Sequence, residues 1–363
     1  LASNQYSKAK RLNPAVCGSG LFMEAIEQNP VYYELAFEMP CHPDSIDLRA
    51  WLKQYVTRRY GAFSPATQKA WMLLLEGPYR QGTNGTEKSS IVAARPALDV
   101  KKSGPNAGLE IPYDPALIIR AQSLLLEDAD KLSASRPYRF DLVDVQRQMM
   151  TNLGQLIHRK AAEAFRSKDR EAFTLHSERF LGMLADMDTL LRTRSEYSFD
   201  RWLTEARSWG ETEEEKNQME RDATSLVTIW GADGDPRIFD YSWREWAGLI
   251  NGYYLPRWQK FYTMLQQHLD EGTSYEEAGL PQIYGREAFR ANDFYHALAE
   301  WELSYVDTYG KARIPATEGD EIDIVKRLFK KYFKLSQEYY TDSIKLIKPS
   351  RDERTYENLG EDL

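Results

Sequence analysis

From Leu48 to Phe333 apolar residues keep returning at intervals of three and four, and most of these runs are bounded by a cap or a breaker. That spacing places them on one face of an α-helix. Leu48, Trp51, Leu52, Tyr55 and Val56 form one stripe, with Asp44 or Ser45 as the expected cap and Gly61 as the stop. Asp114-Pro115 supplies a cap and a first-turn proline ahead of Leu117, Ile118, Ala121, Leu124, Leu125, Ala129 and Leu132. Asp141 is expected to open a longer helix through Val145, Met149, Met150, Leu153, Leu156 and Ile157, and Phe173, Phe180, Leu184, Met187 and Leu191 mark the next. Thr212 with Glu215 is a capping box for Met219, Ala223, Leu226 and Trp230. Further helices are expected near 242 to 269, with Pro256 as a kink, near 286 to 306 and near 320 to 345, the last with Ile322, Val325, Leu328, Phe329, Tyr332 and Phe333. No repeat of fixed period links them.

Two regions interrupt the pattern. Residues 12 to 24, LNPAVCGSGLFME, are short, apolar and bounded by Pro14 and Gly20, which predicts a buried strand before an amphipathic stretch over 25 to 39. Between Pro78 and Pro115 there is no periodicity, and Asn84-Gly and Gly104-Pro are turn signals. Ordered loops of that length are usually functional or linkers. The Asn84-Gly-Thr86 sequon reads more simply as a solvated turn than as a glycan acceptor.

With 363 residues the chain exceeds the size at which one core stops growing, so two domains or a piece of something larger is expected. No apolar run approaches the roughly 18 residues of a membrane span. The net charge of -8 is spread among mixed acids and bases, so no basic face offers itself to nucleic acid. Cys17 and Cys41 are too few for a disulfide framework and are expected as buried thiols. His42, His158, His176, His268 and His296 lack ligand spacing, so neither a metal nor a cofactor is expected. Aromatic residues make up 12% of the chain, enough to fill helix interfaces or to serve as a platform for sugar rings; core packing is the commoner use.

Chemistry could sit in either of two places. Glu24 follows the apolar opening and its glycines, where a barrel enzyme would place a catalytic carboxylate, although a Glu at such a point is more often a helix-start residue. In the stretch from Leu226 to Trp258, Trp230 precedes a Gly/Asp/Pro loop and Tyr241, Trp243 and Trp246 follow it. Aromatic faces near Asp and Arg suit a sugar, while Trp243 and Trp246, three apart, could simply pack.

GSGLFMEAIEQNPVYYEL (18 to 35), RRYG (58 to 61), RFDLVDVQRQ (139 to 148), TIWG (228 to 231) and FDYSWREWAGLINGYYLPRW (239 to 258) together resemble, in order and spacing, the α-N-acetylglucosaminidases of glycoside hydrolase family 89. The resemblance implies a small N-terminal domain, a catalytic (β/α)8 barrel and an all-α C-terminal domain over the barrel mouth. It implies a retaining mechanism with two glutamates acting on terminal α-linked N-acetylglucosamine. Glu24 falls at the nucleophile position, and Trp230 and Tyr241, with Trp243 beside them, are the matched candidates for contacts near the sugar. The acid/base and most of the barrel belong upstream of the nucleophile strand, so the chain reads as a C-terminal portion: residues 1 to 44 as the end of the barrel, 45 to 363 as the all-α domain.

The fold class expected is thus mainly α, a multi-helix domain preceded by a short strand-helix segment that would complete a (β/α)8 barrel. The partners implied are a carbohydrate ending in α-N-acetylglucosamine and the upstream barrel of the same enzyme, and the compartment implied is secreted, periplasmic or lysosomal. A non-catalytic helical module binding a glycan or a partner protein through Trp230 to Trp258 is the alternative, with Glu24 then a plain structural acid. A partner-binding scaffold with no glycan role is the third.

Overall fold

The computed structural model describes residues 5–22, 29–42, 46–80, 89–104, 107–230, 239–275, 277, 293–311 and 317–340. Among them run twelve α-helices: α1 (Gln5–Leu12), α2 (Pro30–Glu38), α3 (Leu48–Tyr60), α4 (Pro65–Glu76), α5 (Ala116–Glu127), α6 (Arg136–Arg166), α7 (Arg170–Leu191), α8 (Phe199–Arg207), α9 (Glu213–Leu226), α10 (Leu255–Glu271), α11 (Asp293–Asp307) and α12 (Glu321–Tyr339). A two-stranded antiparallel hairpin, β1 (Lys102–Ser103) with β2 (Ala107–Gly108), completes the regular structure. The mainly α class read from the periodicity holds.

Helix α6 is the axis of the packing. Its 31 residues span about 46 Å at 1.5 Å per residue, long enough to touch α3, α5, α7 and α12 along its length. Leu142, Met149, Met150, Leu153 and Ile157 carry its apolar face into the main core. Gly154 sits where α7 comes close: a Cβ there would lie 2.7 Å from the Met183 side chain. The return into α7 is made by Lys168 in the left-handed region, with Asp169 accepting from the Ala172 backbone to cap the new helix.

Several boundaries differ from the expected ones for identifiable reasons. Helix α6 begins at Arg136, with Ser135 in the cap position and Pro137 in the first turn; Asp141 lies further in, buried and held by Arg59. A first-turn proline loses no intrahelical bond, so Ser-Arg-Pro was the start signal. Asp47 caps α3, accepting from Arg49 and Ala50, whereas Asp44 and Ser45 lie outside the described residues. Residues 242–248 are not helical; Ala247 instead exchanges backbone bonds with Tyr197 and Phe199. The kink expected at Pro256 takes the form of a π-helical turn, Ile250–Tyr254, leading directly into α10. A proline ring and its missing N–H are accommodated where the helix is widened. The capping box at Thr212 and Glu215 forms as expected.

The opening stretch departs most. Residues 16–22 belong to no strand, and Phe22 is fully exposed. A strand needs neighbours for its N–H and C=O groups, and the described residues offer this segment none. Residues 23–28, Glu24 among them, lie outside the described residues. Cys17, in the same stretch, and Cys41, in the 3₁₀ turn after α2, are both exposed, contrary to the expected burial.

The aperiodic region does the reverse. Ser90 through Leu98 are buried almost throughout, so the segment is an interior loop. Buried backbone without a helix or sheet must find partners elsewhere. Arg257 donates to the Ala93 carbonyl, Tyr295 to the Pro96 carbonyl, and Glu277 accepts from the Leu98 N–H. No helix among the described residues is long and apolar enough to cross a membrane.

His158 reads as a core histidine. Its ring lies 4.8 Å from Trp258, Nδ1 is 2.8 Å from the Tyr262 hydroxyl, and burial pushes its pKa down to about 4. The unfolded chain therefore takes up a proton here as pH falls below about 6.5, while the folded chain resists until about 4. Stability from this group is complete above the unfolded value and should fall by on the order of 3 kcal/mol as pH drops to 4. Denaturant titrations of wild type and His158→Gln at pH 7 and pH 4.5 check this: the wild type should lose distinctly more stability, and equal losses would mean that the ring is not held neutral.

Candidate functional site

The candidate site is built on two short segments that leave and re-enter the described chain on either side of residues 231–238. After α9, the Trp230 N–H turns back to the Ser225 carbonyl at 2.6 Å, with Trp230 itself at φ +55. A bulky residue in the left-handed region is an outlier that costs on the order of 1–3 kcal/mol and persists only when its surroundings impose it. The returning segment carries Asp240 at φ +57, whose N–H donates to the Thr228 carbonyl at 2.7 Å. Thr228 to Trp230 and Phe239 to Tyr241 are thereby drawn together, and the Trp230 and Tyr241 rings meet with centroids 4.7 Å apart and planes at 59°. Both side chains are half-buried.

What holds this stem is a cluster of four ionised side chains with no solvent exposure. Arg257 donates to both oxygens of Asp240, at 3.1 and 2.9 Å, and to Glu302 at 3.0 Å. Arg95 donates to the two oxygens of Glu302 at 3.1 and 2.8 Å. Two cations meet two anions, so the cluster is neutral. Aromatic faces close it: Arg257 lies 4.6 Å from the Tyr253 ring centre, and Arg95 lies 5.7 Å from that of Phe239. Burial, with Glu302 nearby, pushes Asp240 up to about 6 although Arg257 pulls it down. Gly104 completes the fit: a Cβ there would stand 2.7 Å from the Asp240 carbonyl oxygen.

A second set of buried contacts joins other sequence blocks. Arg59 grips Asp141 with two bonds of 2.7 Å, the Tyr60 hydroxyl donates to the same carboxylate at 2.8 Å, and Trp71 donates to Tyr60. Burial raises the Asp141 pKa, and Arg59 opposes it. Arg147 bridges Asp144 and Glu245, and Glu245 also accepts from Ser90 and Thr151. RRYG thus meets RFDLVDVQRQ through Asp141, and RFDLVDVQRQ meets the aromatic block through Glu245.

Of the four residues singled out from the sequence, the structure brings Trp230 and Tyr241 together. Trp243 is half-buried against the main core, and Trp246 is buried with its ring 5.7 Å from Trp202, so the packing reading suits this pair. Glu24 lies outside the described residues. Sequence reasoning missed Arg95, Asp240, Arg257 and Glu302. Three sit inside helical or loop patterns as ordinary charges, and Asp240, two residues before Ser242, reads as a loop acid. Among the described residues no cluster of His, Cys, Asp or Glu could hold a metal ion.

Comparisons with known proteins follow the same lines. The family model for the alpha-N-acetylglucosaminidase C-terminal domain matches residues 51–331. Human alpha-N-acetylglucosaminidase is 31% identical over 341 residues, which are 92% of this chain and 42% of that protein. A family 89 glycoside hydrolase from Clostridium perfringens in complex with PUGNAc superposes with a TM-score of 0.80 at 26% identity, over 91% of this chain and 37% of its own. The Clostridium perfringens enzyme in complex with its substrate GlcNAc-alpha-1,4-galactose gives 0.81 at 26%, over 93% and 37%. The chain spans less than half the length of these relatives.

Removing one charge from a buried pair strands its partner, which typically costs about 3–5 kcal/mol. Asp240→Asn keeps the shape and the tolerance for a left-handed backbone but leaves Arg257 facing one carboxylate fewer. The variant should unfold at correspondingly lower denaturant, with a change in tryptophan emission of the native state as Trp230 shifts. A loss under 1 kcal/mol in equilibrium denaturation would show that the stem does not depend on this charge.

Proposed function

This chain belongs to the α-N-acetylglucosaminidases of glycoside hydrolase family 89, and we propose that it forms the sugar-facing helical part of a retaining exo-glycosidase that removes terminal α-linked N-acetylglucosamine. The observation that carries this reading is the half-buried Trp230 and Tyr241 pair, held at the end of a strained stem by a buried ion cluster. Rings fixed in advance offer stacking faces to a sugar without an entropic cost at binding. The substrate named for the Clostridium perfringens relative, GlcNAc-alpha-1,4-galactose, supports the same choice of sugar.

Glu24 is the proposed nucleophile. A retaining mechanism places two carboxyls about 5–5.5 Å apart: one attacks the anomeric carbon to form a glycosyl-enzyme, and the other protonates the leaving oxygen, then draws a proton from the water that releases the sugar. The described core offers no such proton donor. Asp141, Asp240, Glu245 and Glu302 are all buried and each is tied to an arginine, which leaves none free to reach a glycosidic oxygen. We assign the acid/base to the barrel portion of the enzyme, which on this reading works in a secreted, periplasmic or lysosomal setting.

Two outcomes follow. In the full-length protein, Glu24→Gln should abolish turnover of an aryl α-N-acetylglucosaminide while leaving the unfolding transition in place; a variant retaining most of its activity would remove Glu24 from the site. The 363-residue chain assayed alone should release no aryl group above background, since a nucleophile without a positioned acid and pocket loses both contributions. Measurable release by the chain alone would overturn the assignment of the acid/base elsewhere.

A further inference from the structure

Two helix ends meet at a cleft of about 600 Å³, lined among others by Leu98, Phe165, Lys168, Arg170, Leu269 and Tyr275. Helix α6 finishes at Arg166 and α10 at Glu271, and the chain leaves each through a residue in the left-handed region, Lys168 at φ +59 and Gly272 at φ +69. Backbone bonds close both turns. The Lys168 N–H donates to the Phe165 carbonyl and the Asp169 N–H to that of Ala164, while the Gly272 and Thr273 N–H groups donate to the His268 carbonyl. The turns are alike, but the residues that make them are not. Glycine enters the left-handed region without a Cβ clash, whereas lysine meets that clash and lacks the short polar side chain with which Asn or Asp offsets it. At Gly272 a Cβ would meet nothing within 4 Å, so glycine serves the backbone there and not the packing. At the matching place after α6 the chain keeps a lysine in spite of the strain.

That lysine is exposed and has no partner among the described residues, which sets it apart from the other charges of the cleft. Arg166 lies 2.8 Å from Asp99. Arg170 donates to the Leu269 carbonyl and faces Asp270 at 3.7 Å. Glu277 accepts from the Leu98 N–H and, at 3.5 Å, from that of Asp99. His268 Nδ1 is 2.7 Å from the Thr273 hydroxyl. Behind these groups the walls are apolar: Leu98, Phe165 and Leu269 are buried, and the Phe165 and His268 rings lie 6.5 and 5.5 Å from that of the half-buried Tyr275. A mostly apolar wall with one placed charge, in a volume of this size, is the make-up of a small-ligand site.

We propose that this cleft binds a small organic carboxylate with a ring for its body, the carboxylate on Lys168 and the ring against Tyr275. One uncommitted ammonium answers one negative charge, and a charge-assisted bond to it gives the carboxylate its hold. A polyanion is a poor fit, because its further charges would come to lie beside Asp99, Asp270 and Glu277. The strained turn then has a cause: the lysine stays where glycine would be more stable because its charge is used there. The argument draws on the residues of this cleft alone and stands apart from the glycosidase reading.

The test titrates the full-length protein by calorimetry and ligand-detected NMR with two carboxylates, methyl β-glucuronide and benzoate, and with their neutral counterparts, methyl β-glucoside and benzyl alcohol. At least one carboxylate should bind about fivefold or more tighter than its counterpart. A preference within one pair alone supports the proposal and identifies the ring as sugar or aromatic. Lys168→Gly should remove that preference while holding or raising the midpoint of thermal unfolding, since glycine relieves the turn. Lys168→Gln, which leaves the turn as it is and takes away only the charge, should lose the preference by the same factor and covers the case in which the glycine variant does not fold. Lys168→Arg should keep it. Carboxylates held no better than the neutral compounds, or a preference unchanged in Lys168→Gly and Lys168→Gln, would overturn the proposal.

Discussion

Arg257 joins more of this molecule than any other described side chain at the candidate site. From a position with no solvent exposure it meets Asp240 beside the aromatic pair, Glu302 on α11 and the Ala93 carbonyl of the interior loop. Burying four charges is expensive, and an apolar cluster of the same volume would often be as stable or more so. What an apolar cluster would lack is direction. A guanidinium fixes the plane and distance of each acceptor, so one side chain sets the registry of three segments far apart in sequence. The specificity of the arrangement, more than its net stability, is what these charges account for.

That registry explains how strained backbone persists beside it. Trp230 and Asp240 both occupy the left-handed region, and Gly104 approaches so closely that no side chain fits between it and the Asp240 carbonyl. Such conformations survive only where several contacts over-determine them. Here the Asp240 N–H is bound to Thr228, its carboxylate to Arg257, and its carbonyl is covered by Gly104. The ring geometry of Trp230 and Tyr241 therefore rests on contacts made by the folded core. A similar tie holds α6, where Arg147 bridges Asp144 to Glu245 in the aromatic block.

The sequence disclosed what is local. Helices appeared where periodicity and caps agreed, and Thr212 with Glu215 behaved as their spacing required. It misled where one signal had two readings. Asp141 looked like a cap because a short acid stood before an apolar stripe, yet Pro137 had already opened the helix and the carboxylate was needed by Arg59. The apolar opening looked like a buried strand because hydrophobicity was legible and the absence of ladder partners was not. Ser90 to Leu98 read only as part of an aperiodic loop because the residues that satisfy its backbone, Arg257 and Glu277 among them, come from more than 150 positions away. The ion cluster was illegible for the same reason: Arg95 and Glu302 are 207 residues apart, and nothing in either neighbourhood marks it for burial. The aromatic pair was legible because Trp230 and Tyr241 stand close in sequence, on either side of a stretch rich in Gly and Asp.

Placing every described core carboxylate against an arginine has a functional side. A carboxyl that must trade a proton needs a pKa near the working pH and access to the substrate, and an ion-paired carboxylate inside a core has neither the access nor the freedom to change charge without stranding its partner. Asp240 shows the point: burial pushes it up to about 6, a value that would suit acid catalysis, yet it has no exposure and spends both oxygens on Arg257. In this helical domain the buried charges set geometry, and the Trp230 and Tyr241 rings stay half-buried beside them. On the proposed reading, proton transfer and nucleophilic attack then fall to the barrel and to Glu24 at its edge. On the same reading the helices contribute the ring pair of Trp230 and Tyr241 beside the sugar.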